Sequence, residues 1–422
     1  MKNILVKFMQ ESGRSSEFKL FLDMFHHLPK IKFAVIKISG KSLDDHLEKI
    51  AEDIACLNKL GIYPVIVHGA GSALDASLPS SKKVDGIRVT SKEDMQVIKK
   101  VFKKIGTALA EKIVAHGGSA ILLDQVFECQ QMPAYGEVGA ITNTHLQSIA
   151  NAIELNQTPI ISPIGGEFID SQYREYNINA DSAAKELVMS INPAKLIMIT
   201  ETGGILNEEG TIIPFINASD LSDLKSVSGG MLLKIREIKD FLDHAKDCAV
   251  VITSAQKLLQ EIFTIKGSGT YIKNFLIQSA SSWQDLNLQS VRSLLENAFG
   301  KKLTPTYFEQ AVVEILFEKN YEGIAVIKSI DGIAYLDKLA VSTANQGTGL
   351  GKSLWHELTA RYPSFVWRAT LKNPANSYYM KHAQGMIKTQ NWYFYWIGLK
   401  EELIFSTAQK VINLERTMLE NL

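Results

Sequence analysis

Two lysines stand beside glycine-rich turns in the first part of the sequence. Lys37 lies just before the turn Ser39-Gly40, and Lys234 follows the pair Gly229-Gly230 in the opening turn of a helical segment. Phosphoryl transfer asks a protein for little covalent chemistry and depends mostly on fixed positive charge around the moving group. Together the lysines indicate phosphoryl transfer, whereas either one alone is more simply a solvated surface group.

Glycine also marks the ends of two predicted strands. Gly40 follows the first strand and Gly69-Ala70-Gly71 the second, and a helical segment starts directly after each turn. Glycine lets backbone N–H groups approach an anion, and a helix N-terminus adds partial positive charge, so such turns can hold phosphate. A single turn of this kind is more often plain strand-to-helix geometry. The prediction of a phosphate site therefore depends on both turns and on the lysines.

Polar side chains suited to a carboxylate substrate lie between these turns and Lys234. Arg88 carries a guanidinium group that can bind a carboxylate through two hydrogen bonds. Asn177 and Asn179 offer two amides immediately before Asp181, which opens a helical segment. For Asp181 the alternatives are a helix cap and a carboxylate of the site.

A third glycine-rich loop, at residues 346–351, opens a helical segment in the second half of the sequence. A Walker A loop needs glycine where Gln346 stands, and the dinucleotide-binding pattern fails as well. The spacing that fits is Gln-x-x-Gly-x-Gly, formed by Gln346, Gly349 and Gly351, in which consecutive backbone amides at a helix start bind a pyrophosphate. A flexible loop without a ligand is the alternative.

The hydrophobic pattern predicts the elements that would position these groups. From residue 31, apolar runs of strand length alternate with helical spacing, which predicts an α/β fold with a mainly parallel sheet covered on both faces. Beyond a polar stretch the pattern changes to paired short strands, then one strong strand and a helix. We expect a helical arm over 1–30, a first domain over 31–270, a linker over 271–288 and a second domain over 289–422. The arm either packs on its own domain or docks on a neighbouring subunit.

Composition and charge exclude several classes of protein. Hydrophobic residues make up 46% of the 422 residues, and 45 basic side chains balance 45 acidic ones, which argues against general disorder and non-specific nucleic-acid binding. The three cysteines are far apart and form neither a thiolate metal site nor a disulfide framework. No apolar stretch approaches the roughly 20 residues that span a bilayer. We expect a cytoplasmic protein with no membrane or nucleic-acid partner.

The first domain resembles the amino-acid kinase family, most closely N-acetylglutamate kinase. The stretches that carry the resemblance, in the family's order, are 37–40, 68–71, 86–90, 177–181 and 229–234. It implies a three-layer α/β/α sandwich in which Lys37 and Lys234 embrace the phosphoryl group transferred from ATP, while Asp181 orients both lysines. The acceptor carboxylate is already ionised at neutral pH, so the reaction needs no general base.

The same resemblance implies further roles. It assigns phosphate or substrate to Gly40, Gly69, Ala70 and Gly71, N-acetylglutamate to Arg88, Asn177 and Asn179, and the nucleotide to Gly203 and Gly204. Mg²⁺ would accompany ATP and screen its repulsion of the anionic acceptor, and no metal site built from protein side chains is expected. Three residues depart from the family pattern: Ser39 and Ala70 replace glycine, and Glu201 is acidic beside the nucleotide stretch.

The second domain resembles the Gcn5-related N-acetyltransferases, known as the GNAT fold, and specifically the acetyltransferase domain of N-acetylglutamate synthases. The matching stretches are 335–341, 346–351, 365–368, 373–382 and 392–399. The resemblance assigns acetyl-CoA to Gln346, Gly347, Gly349 and Gly351, glutamate to Lys338, Arg368 and Asn373, and the proton for the departing thiolate to Tyr379. A second arginine common in synthases is replaced by Thr370, so the carboxylate clamp is incomplete unless Lys372 compensates.

Together the two resemblances imply a bifunctional enzyme of arginine biosynthesis, which acetylates L-glutamate with acetyl-CoA and phosphorylates N-acetyl-L-glutamate with ATP. They also imply inhibition by arginine at a site containing Glu261 and Gly267, and we expect a homo-oligomer, with a tetramer favoured. One alternative is a synthase whose first domain is a regulatory pseudokinase, which intact Lys37, Asp181 and Lys234 argue against. The other is a non-enzymatic scaffold that senses arginine.

Overall fold

The computed structural model describes residues 27–84, 87–218, 221, 235, 238–239, 242, 244–245, 248–263, 268–346 and 349–419, and every structural statement below concerns these residues. They form two compact units, with the division after Asn274. Most of the arm expected over 1–30 lies outside the described residues.

An eight-stranded sheet forms the centre of the first unit. The strands of this unit are β1 Ala34–Ile38, β2 Val65–His68, β3 Lys83–Val84, β4 Ile87–Arg88, β5 Ala120–Leu123, β6 Phe127–Gln131, β7 Gly139–Thr144, β8 Thr158–Ile161, β9 Ile164–Ile169, β10 Gln172–Asn177, β11 Lys195–Ile199, β12 Phe215–Asn217, β13 Ala249–Thr253 and β14 Thr270–Lys273. The large sheet has the order β12-β14-β13-β11-β1-β2-β8-β5, and its pairs are parallel except β13 with β14. The predicted mainly parallel sheet is confirmed. A smaller sheet has the order β10-β9-β6-β7, and β3 pairs with β4.

Helices cover both faces of the large sheet. They are α1 Gly40–Lys59, α2 Gly71–Ser77, α3 Lys92–Ala115, α4 Leu146–Glu154, α5 Ala180–Ile191 and α6 Leu258–Phe263. Alternate residues of β1 belong to separate cores, with Val35 in one and Ile36 in the other, because successive side chains of a strand point to opposite faces. The first unit is therefore a three-layer sandwich.

The alternation within β1 determines where Lys37 lies. Lys37 shares the face of Val35, whose core also contains Ala183 and Leu187 of α5. Because Lys37 is the last residue but one of β1, it lies at the carboxyl edge of the sheet, where β1 and β2 turn into α1 and α2. Open parallel sheets bind their ligands at this edge.

A seven-stranded sheet organises the second unit. The strands of this unit are β15 Ile277–Ala280, β16 Lys302–Leu303, β17 Glu314–Glu318, β18 Gly323–Ile330, β19 Ile333–Val341, β20 Phe365–Thr370, β21 Gly385–Lys388, β22 Trp392–Ile397 and β23 Met418–Leu419, and its helices are α7 Leu288–Phe299, α8 Leu350–Arg361, α9 Asn376–His382 and α10 Glu401–Ile412. The order is β15-β17-β18-β19-β20-β22-β21, and β16 pairs separately with β23. Only β19 and β20 are parallel neighbours within this sheet.

The parallel strands β19 and β20 separate along their length. Their pairing ends at Leu336 with Trp367, although β19 continues to Val341 and β20 to Thr370. Residues of both strands beyond this point line a cavity of 630 Å³. The divergence of two central strands therefore opens the main cavity of the second unit.

Residues 271–288, which the sequence analysis treats as a linker, contain most of β14 and all of β15. β14 belongs to the sheet of the first unit, whereas β15 is an edge strand of the seven-stranded sheet. Two of the four residues of β15 are exposed, which is ordinary for an edge strand. A polar edge strand and a linker have the same composition, so the sequence pattern does not separate them.

Candidate functional site

The Lys37 ammonium group pairs with the Asp181 carboxylate at the carboxyl edge of the first sheet. Lys37 Nζ lies 2.6 Å from Asp181 Oδ1, and the two side chains are only 6% and 17% exposed. The helix cap is Asn179, whose Oδ1 accepts a hydrogen bond from the backbone N–H of Asp181 at 2.8 Å. Asp181 therefore lies in the first turn of α5 and is not the cap, which leaves its carboxylate facing Lys37.

The two glycine turns touch each other. The backbone N–H of Gly69 donates to the carbonyl of Ile38 at 2.8 Å, which joins the second turn to the end of β1. A Cβ atom added at Gly40 would lie 2.6 Å from the backbone nitrogen of Gly71 and 2.9 Å from backbone atoms of Ala70. Only glycine fits at position 40, because those neighbours are backbone atoms that cannot rotate away. The Ala70 side chain is buried in an apolar cluster with Leu74 and Phe102, which accommodates its methyl group.

A cleft of 270 Å³ lies beside these turns. Eight of the predicted residues line it: Lys37, Gly40, Gly69, Ala70, Gly71, Arg88, Asn177 and Asn179. Residues from four separate stretches of sequence thus converge on one cavity. Lys234 and Gly86 lie outside the described residues.

Arg88 and Lys83 share one acidic partner at the edge of this cleft. Arg88 is buried and donates to Asp75 and to Ser81, and Lys83 Nζ lies 3.0 Å from Asp75 Oδ1. Hydrogen bonds from Lys83 and Arg88 lower the pKa of Asp75. Two cations on one exposed carboxylate show that this wall of the cleft can hold an anion.

Gly203 and Gly204, predicted to contact the nucleotide, follow β11, the neighbour of β1 in the sheet. Gly203 has φ of 69°, a left-handed conformation that favours glycine, and its N–H donates to Thr200 Oγ1 at 3.2 Å. The acidic Glu201 is paired with Lys41, whose Nζ lies 2.7 Å from Glu201 Oε2. Lys41 thus balances the negative charge that Glu201 adds beside the predicted nucleotide stretch.

The cavity between β19 and β20 gathers the predicted residues of the second unit. Lys338, Gln346, Arg368, Asn373 and Tyr379 all line it. Gly349 caps α8 with φ of 91°, and the twelve-residue helix begins at Leu350, four positions after Gln346. Gly351 lies in the first turn of α8, and Gly347 lies outside the described residues.

Tyr379 is almost fully buried among aromatic rings. Its ring centroid lies 5.6 Å from that of Trp367 and 5.7 Å from those of Trp355 and Tyr395. Burial, with smaller contributions from Tyr395 and Tyr378, raises the pKa of the Tyr379 phenol well above its usual value near 10. The hydroxyl group keeps its proton at neutral pH, and the raised pKa makes it a weaker acid than a solvent-exposed tyrosine.

Lys338 belongs to a buried polar cluster at the base of this cavity. Its Nζ lies 3.1 Å from Asp337 Oδ2 and 2.5 Å from Thr417 Oγ1, and Asp337 also accepts from Tyr307 at 2.8 Å. Burial lowers the pKa of Lys338 in spite of the adjacent carboxylate. Burial alone would raise the pKa of Asp337, but Lys338 and Lys328 outweigh it and lower that pKa.

Arg368 makes its contacts with the backbone. Nη1 lies 2.9 Å, 3.0 Å and 2.8 Å from the carbonyl oxygens of Val411, Ile412 and Leu414, and Nη2 donates to Glu415 at 3.0 Å. The guanidinium group also lies 4.3 Å from the centre of the Trp392 ring. Most of its donors therefore serve the C-terminal end of α10 and the residues after it.

Family models match both units of the chain. The model of the amino acid kinase family matches residues 32–254, which is more than half of the chain, and the model of the N-acetyltransferase of N-acetylglutamate synthase matches residues 278–415. The chain belongs to the amino acid kinase family.

Individual relatives of this amino acid kinase span both units. An acetylglutamate kinase from Xanthomonas campestris pv. campestris is 35% identical over 406 residues, 92% of this chain and 94% of that protein. A mitochondrial N-acetylglutamate synthase from Mus musculus is 27% identical over 90% of this chain and 72% of that protein. The solved N-acetylglutamate synthase from Neisseria gonorrhoeae, complexed with coenzyme A and L-arginine, has the same fold, with a TM-score of 0.64 at 17% identity over 92% of this chain and 98% of that chain.

Glu261, which the resemblance implies is an arginine ligand, is buried in α6 of this amino acid kinase. Its Oε1 accepts from the N–H of Gly269 at 3.0 Å and from Ser268 Oγ at 3.2 Å. Lys195 Nζ donates to the carbonyls of Glu261 at 3.1 Å and Ile262 at 3.0 Å. The Glu261 carboxylate and the Lys195 ammonium group thus bind the backbone on both sides of residues 264–267. These four residues, which include Gly267, lie outside the described residues.

Several charged residues of the two sites carry no local sequence signal. Lys83 in the first unit, and Lys301 and Arg416 in the second, are surrounded by ordinary polar sequence. Only the tertiary contacts bring them beside the predicted residues. Lys41 follows Gly40 directly, so a search for cations next to the glycine turns would have found it.

Two general features complete the description. None of the helices in the described parts of the chain combines the length and apolar character that crossing a bilayer requires. The described residues also contain no cluster of three or more His, Cys, Asp or Glu side chains placed to hold a metal ion.

Proposed function

We propose that this chain is a bifunctional enzyme, which phosphorylates N-acetyl-L-glutamate with ATP in its first unit and acetylates L-glutamate with acetyl-CoA in its second. The observation that carries the proposal is that one chain holds two clefts of different chemistry, each lined by residues the sequence analysis assigned to one reaction. The relatives described above are named for one or the other of these activities. We assign the kinase to residues 31–270, the acetyltransferase to residues 289–422 and a connecting role to residues 271–288.

In the kinase reaction, a carboxylate oxygen of N-acetylglutamate attacks the γ-phosphorus of ATP and ADP leaves. One P–O bond forms and one breaks, and no proton moves, since the acceptor is an anion. Lys37 stabilises the charge on the transferring group from one side and Lys234 from the other. Asp181 holds the Lys37 ammonium group in place.

The acceptor is held by the opposite wall of the cleft. The Arg88 guanidinium group binds its α-carboxylate through two hydrogen bonds, and the amides of Asn177 and Asn179 bind its polar groups. Arg88 also donates to Asp75, so the substrate carboxylate competes with Asp75 for this guanidinium group. The backbone N–H groups at Gly40, Gly69 and Gly71 hold phosphate.

ATP would bring Mg²⁺ to this site. Asp181 and Glu201, two acidic residues at this edge of the sheet, are each paired with a lysine, which disfavours a cage built from their carboxylates. Magnesium binds readily through substrate phosphates and water with few protein ligands, so the residues present fit a nucleotide-borne ion. Bound there, it would neutralise charge on the phosphate oxygens.

In the acetyl transfer, the amine nitrogen of glutamate attacks the thioester carbonyl, so that a C–N bond forms and the C–S bond breaks. The Tyr379 hydroxyl group gives its proton to the departing thiolate. This hydroxyl group is protonated at neutral pH, so its proton is available for transfer. Amide groups at the start of α8 hold the pyrophosphate of the carrier, while Lys338 and Asn373 contact glutamate.

We further propose that arginine inhibits the enzyme at the site containing Glu261 and that the chain forms a homo-oligomer. Support for the effector is the arginine complex of the Neisseria gonorrhoeae protein, together with the buried carboxylate and lysine that anchor this site. Arginine bound there would change the order of the backbone that Glu261 and Lys195 hold.

Two assays on the purified full chain test the proposal. ADP formation from ATP and N-acetylglutamate, and thiol release from acetyl-CoA and glutamate, should both occur and both respond to arginine. Thiol release without ADP formation would identify the first unit as a pseudokinase. Binding of both nucleotide and acetyl-CoA without either product would identify a sensing scaffold.

A further inference from the structure

Most hydrogen-bond donors of the Arg368 guanidinium group are used by backbone carbonyl groups of the protein itself. Three carbonyl oxygens lie within 3.0 Å of Nη1, which has only two hydrogens, and a fourth accepts from Nη2. A cation at the C-terminal end of α10 is also favoured by the helix dipole. A substrate carboxylate that left these bonds intact could reach Arg368 only through the N–H groups that they do not use, on Nε and Nη2.

The bonds from Arg368 fix the segment that follows α10. Residues 411–415 are held by Arg368, Thr417 Oγ1 accepts from Lys338, and Met418 pairs with Leu303 of β16. Arg416 lies between these three attachments. Its side chain is therefore presented from a backbone that is anchored on both sides.

Arg416 lines the cavity opened by β19 and β20. Its guanidinium carbon lies 6.0 Å from the centre of the Trp392 ring, and that of Arg368 lies 4.3 Å from the same ring. Thr370, which replaces the second arginine of the synthase pattern, lines this cavity too. Arg416 therefore brings a guanidinium group to the cavity in which Thr370 leaves the expected clamp incomplete.

The charge of the cavity lining matches a substrate with two carboxylates. Among the described residues, five cationic side chains line it, namely Lys301, Lys338, Arg368, Lys372 and Arg416, and Asp337 is the one carboxylate in that lining. Asp337 is paired with Lys328 and Lys338. The remaining positive charge favours an anionic acceptor.

We propose that Arg416 binds a carboxylate of the amino-acid acceptor, and that Arg368 is a positioning residue that holds the segment carrying Arg416. The proposal rests on the acetyl transfer to glutamate proposed above and deepens it. It replaces the direct glutamate contact that the resemblance implies for Arg368. The guanidinium group of Arg416 takes the place of the arginine that Thr370 replaces.

Steady-state kinetics of acetyl transfer by the full chain test the role of Arg416. Arg416→Ala should raise the KM for glutamate about 10- to 100-fold, the usual loss for one hydrogen-bonded charge pair, with the KM for acetyl-CoA and the kinase reaction unchanged. Arg416→Lys should restore part of the loss. The control is Arg361→Ala, which removes an exposed arginine of α8 and should leave all constants unchanged. An unchanged glutamate KM, or a raised KM for acetyl-CoA, in Arg416→Ala overturns the proposal.

Two acceptor analogues identify the carboxylate. Glutamine lacks the side-chain carboxylate and isoglutamine lacks the α-carboxylate, and the wild-type enzyme should discriminate against both. In Arg416→Ala the preference for glutamate over one of the two should fall towards unity, because the lost partner no longer distinguishes carboxylate from amide. Discrimination against both at wild-type strength would show that Arg416 contacts neither carboxylate, and would overturn the proposal.

The positioning role of Arg368 has its own readout. Arg368→Ala should speed hydrogen–deuterium exchange in residues 411–417 without substrate, and should raise the glutamate KM no further when combined with Arg416→Ala. The exchange could instead be unchanged in Arg368→Ala, while the double variant raises the glutamate KM by the product of the two single effects. That result would make Arg368 the direct ligand and overturn this role. Absence of thiol release from the wild-type chain would instead overturn the proposed function, and this inference with it.

Discussion

Lys37 at the end of β1 and Asp181 in the first turn of α5 form an ion pair with 2.6 Å between Nζ and Oδ1. The pair joins the two elements whose side chains meet in one core of the first unit. Asp181 also lies at the positive end of the α5 dipole, where a carboxylate is favoured. The lysine is thus held at the carboxyl edge of the sheet by a neighbour that is itself stabilised there.

Asp181→Asn should lower the kcat of the kinase about 100-fold or more, because the Lys37 ammonium group loses the charge that orients it. Acetyl transfer should not change. The matched control is Glu154→Gln, the same change at an exposed position of α4. Both activities are measured on each variant, and wild-type ADP formation by Asp181→Asn would contradict the assigned role.

Gly40→Ala should destabilise the first unit by about 1–3 kcal/mol and impair the kinase, because the new methyl group meets the backbone of Ala70 and Gly71. Gly71→Ala is the control, since a methyl group there meets no atom within 4 Å. Its stability should equal that of the wild type, so any kinase loss in Gly71→Ala reports on ligand approach. Denaturant unfolding followed by hydrogen exchange measures both, and equal stability of the two variants would argue against contact between the turns.

Tyr379→Phe should lower the kcat of acetyl transfer about 100-fold or more, because the thiolate loses its proton donor, while the kinase is unaffected. Tyr378→Phe removes the same atom from the neighbouring, less buried tyrosine and should be silent. Because burial raises the pKa of Tyr379 above 10, no alkaline loss of kcat below pH 10 should come from this group. Equal effects of the two substitutions would remove Tyr379 as the acid.

His68 makes the stability of the first unit depend on pH. Burial lowers its pKa from 6.5 to about 4, so between these values the unfolded chain binds a proton that the folded chain does not. The contribution of His68 to the free energy of unfolding should therefore fall by about 3 kcal/mol as pH drops across this window. His68→Gln should lack this loss. All five tryptophans lie in the second unit, so hydrogen exchange of peptides containing β1 and β2 is the appropriate measurement.

The buried carboxyl group of Asp53 has the opposite effect on how the stability of the first unit depends on pH. Burial raises its pKa from 3.8 to about 6 in spite of Lys49, whose Nζ lies 2.5 Å from Oδ1, and Oδ2 has no hydrogen-bond partner among the described residues. The folded chain holds this proton more tightly than the unfolded chain. The contribution of Asp53 to the free energy of unfolding therefore falls by about 3 kcal/mol as pH rises from 3.8 to 6. Asp53→Asn should therefore gain stability relative to wild type as pH rises through this range. A parallel pH profile for Asp53→Asn, with exposed Glu52→Gln as control, would contradict this.

The sequence predicted the parts of each site that local pattern encodes. Glycine turns after strands, lysines beside them and the Gln-x-x-Gly-x-Gly loop are recognised within a few residues, because backbone geometry there depends on the residues themselves. The alternation of strands and helices predicted the parallel sheet for the same reason. Whether Asp181 is a cap or a site carboxylate depends on Asn179, and only the structure distinguishes the two.

The tertiary structure decided which charged groups pair with each other and which hydrogen-bond donors bind other parts of the protein. Lys41 neutralises Glu201, Asp75 gathers Arg88 with Lys83, and Arg368 binds the end of α10, although these partners are mostly far apart in sequence. The residue type determines the charge of a side chain. The fold determines which groups lie within about 3 Å of that side chain. The amino-acid sequence by itself therefore determined the fold class and the two kinds of chemistry, whereas packing of distant elements decided which cations remain for the substrates.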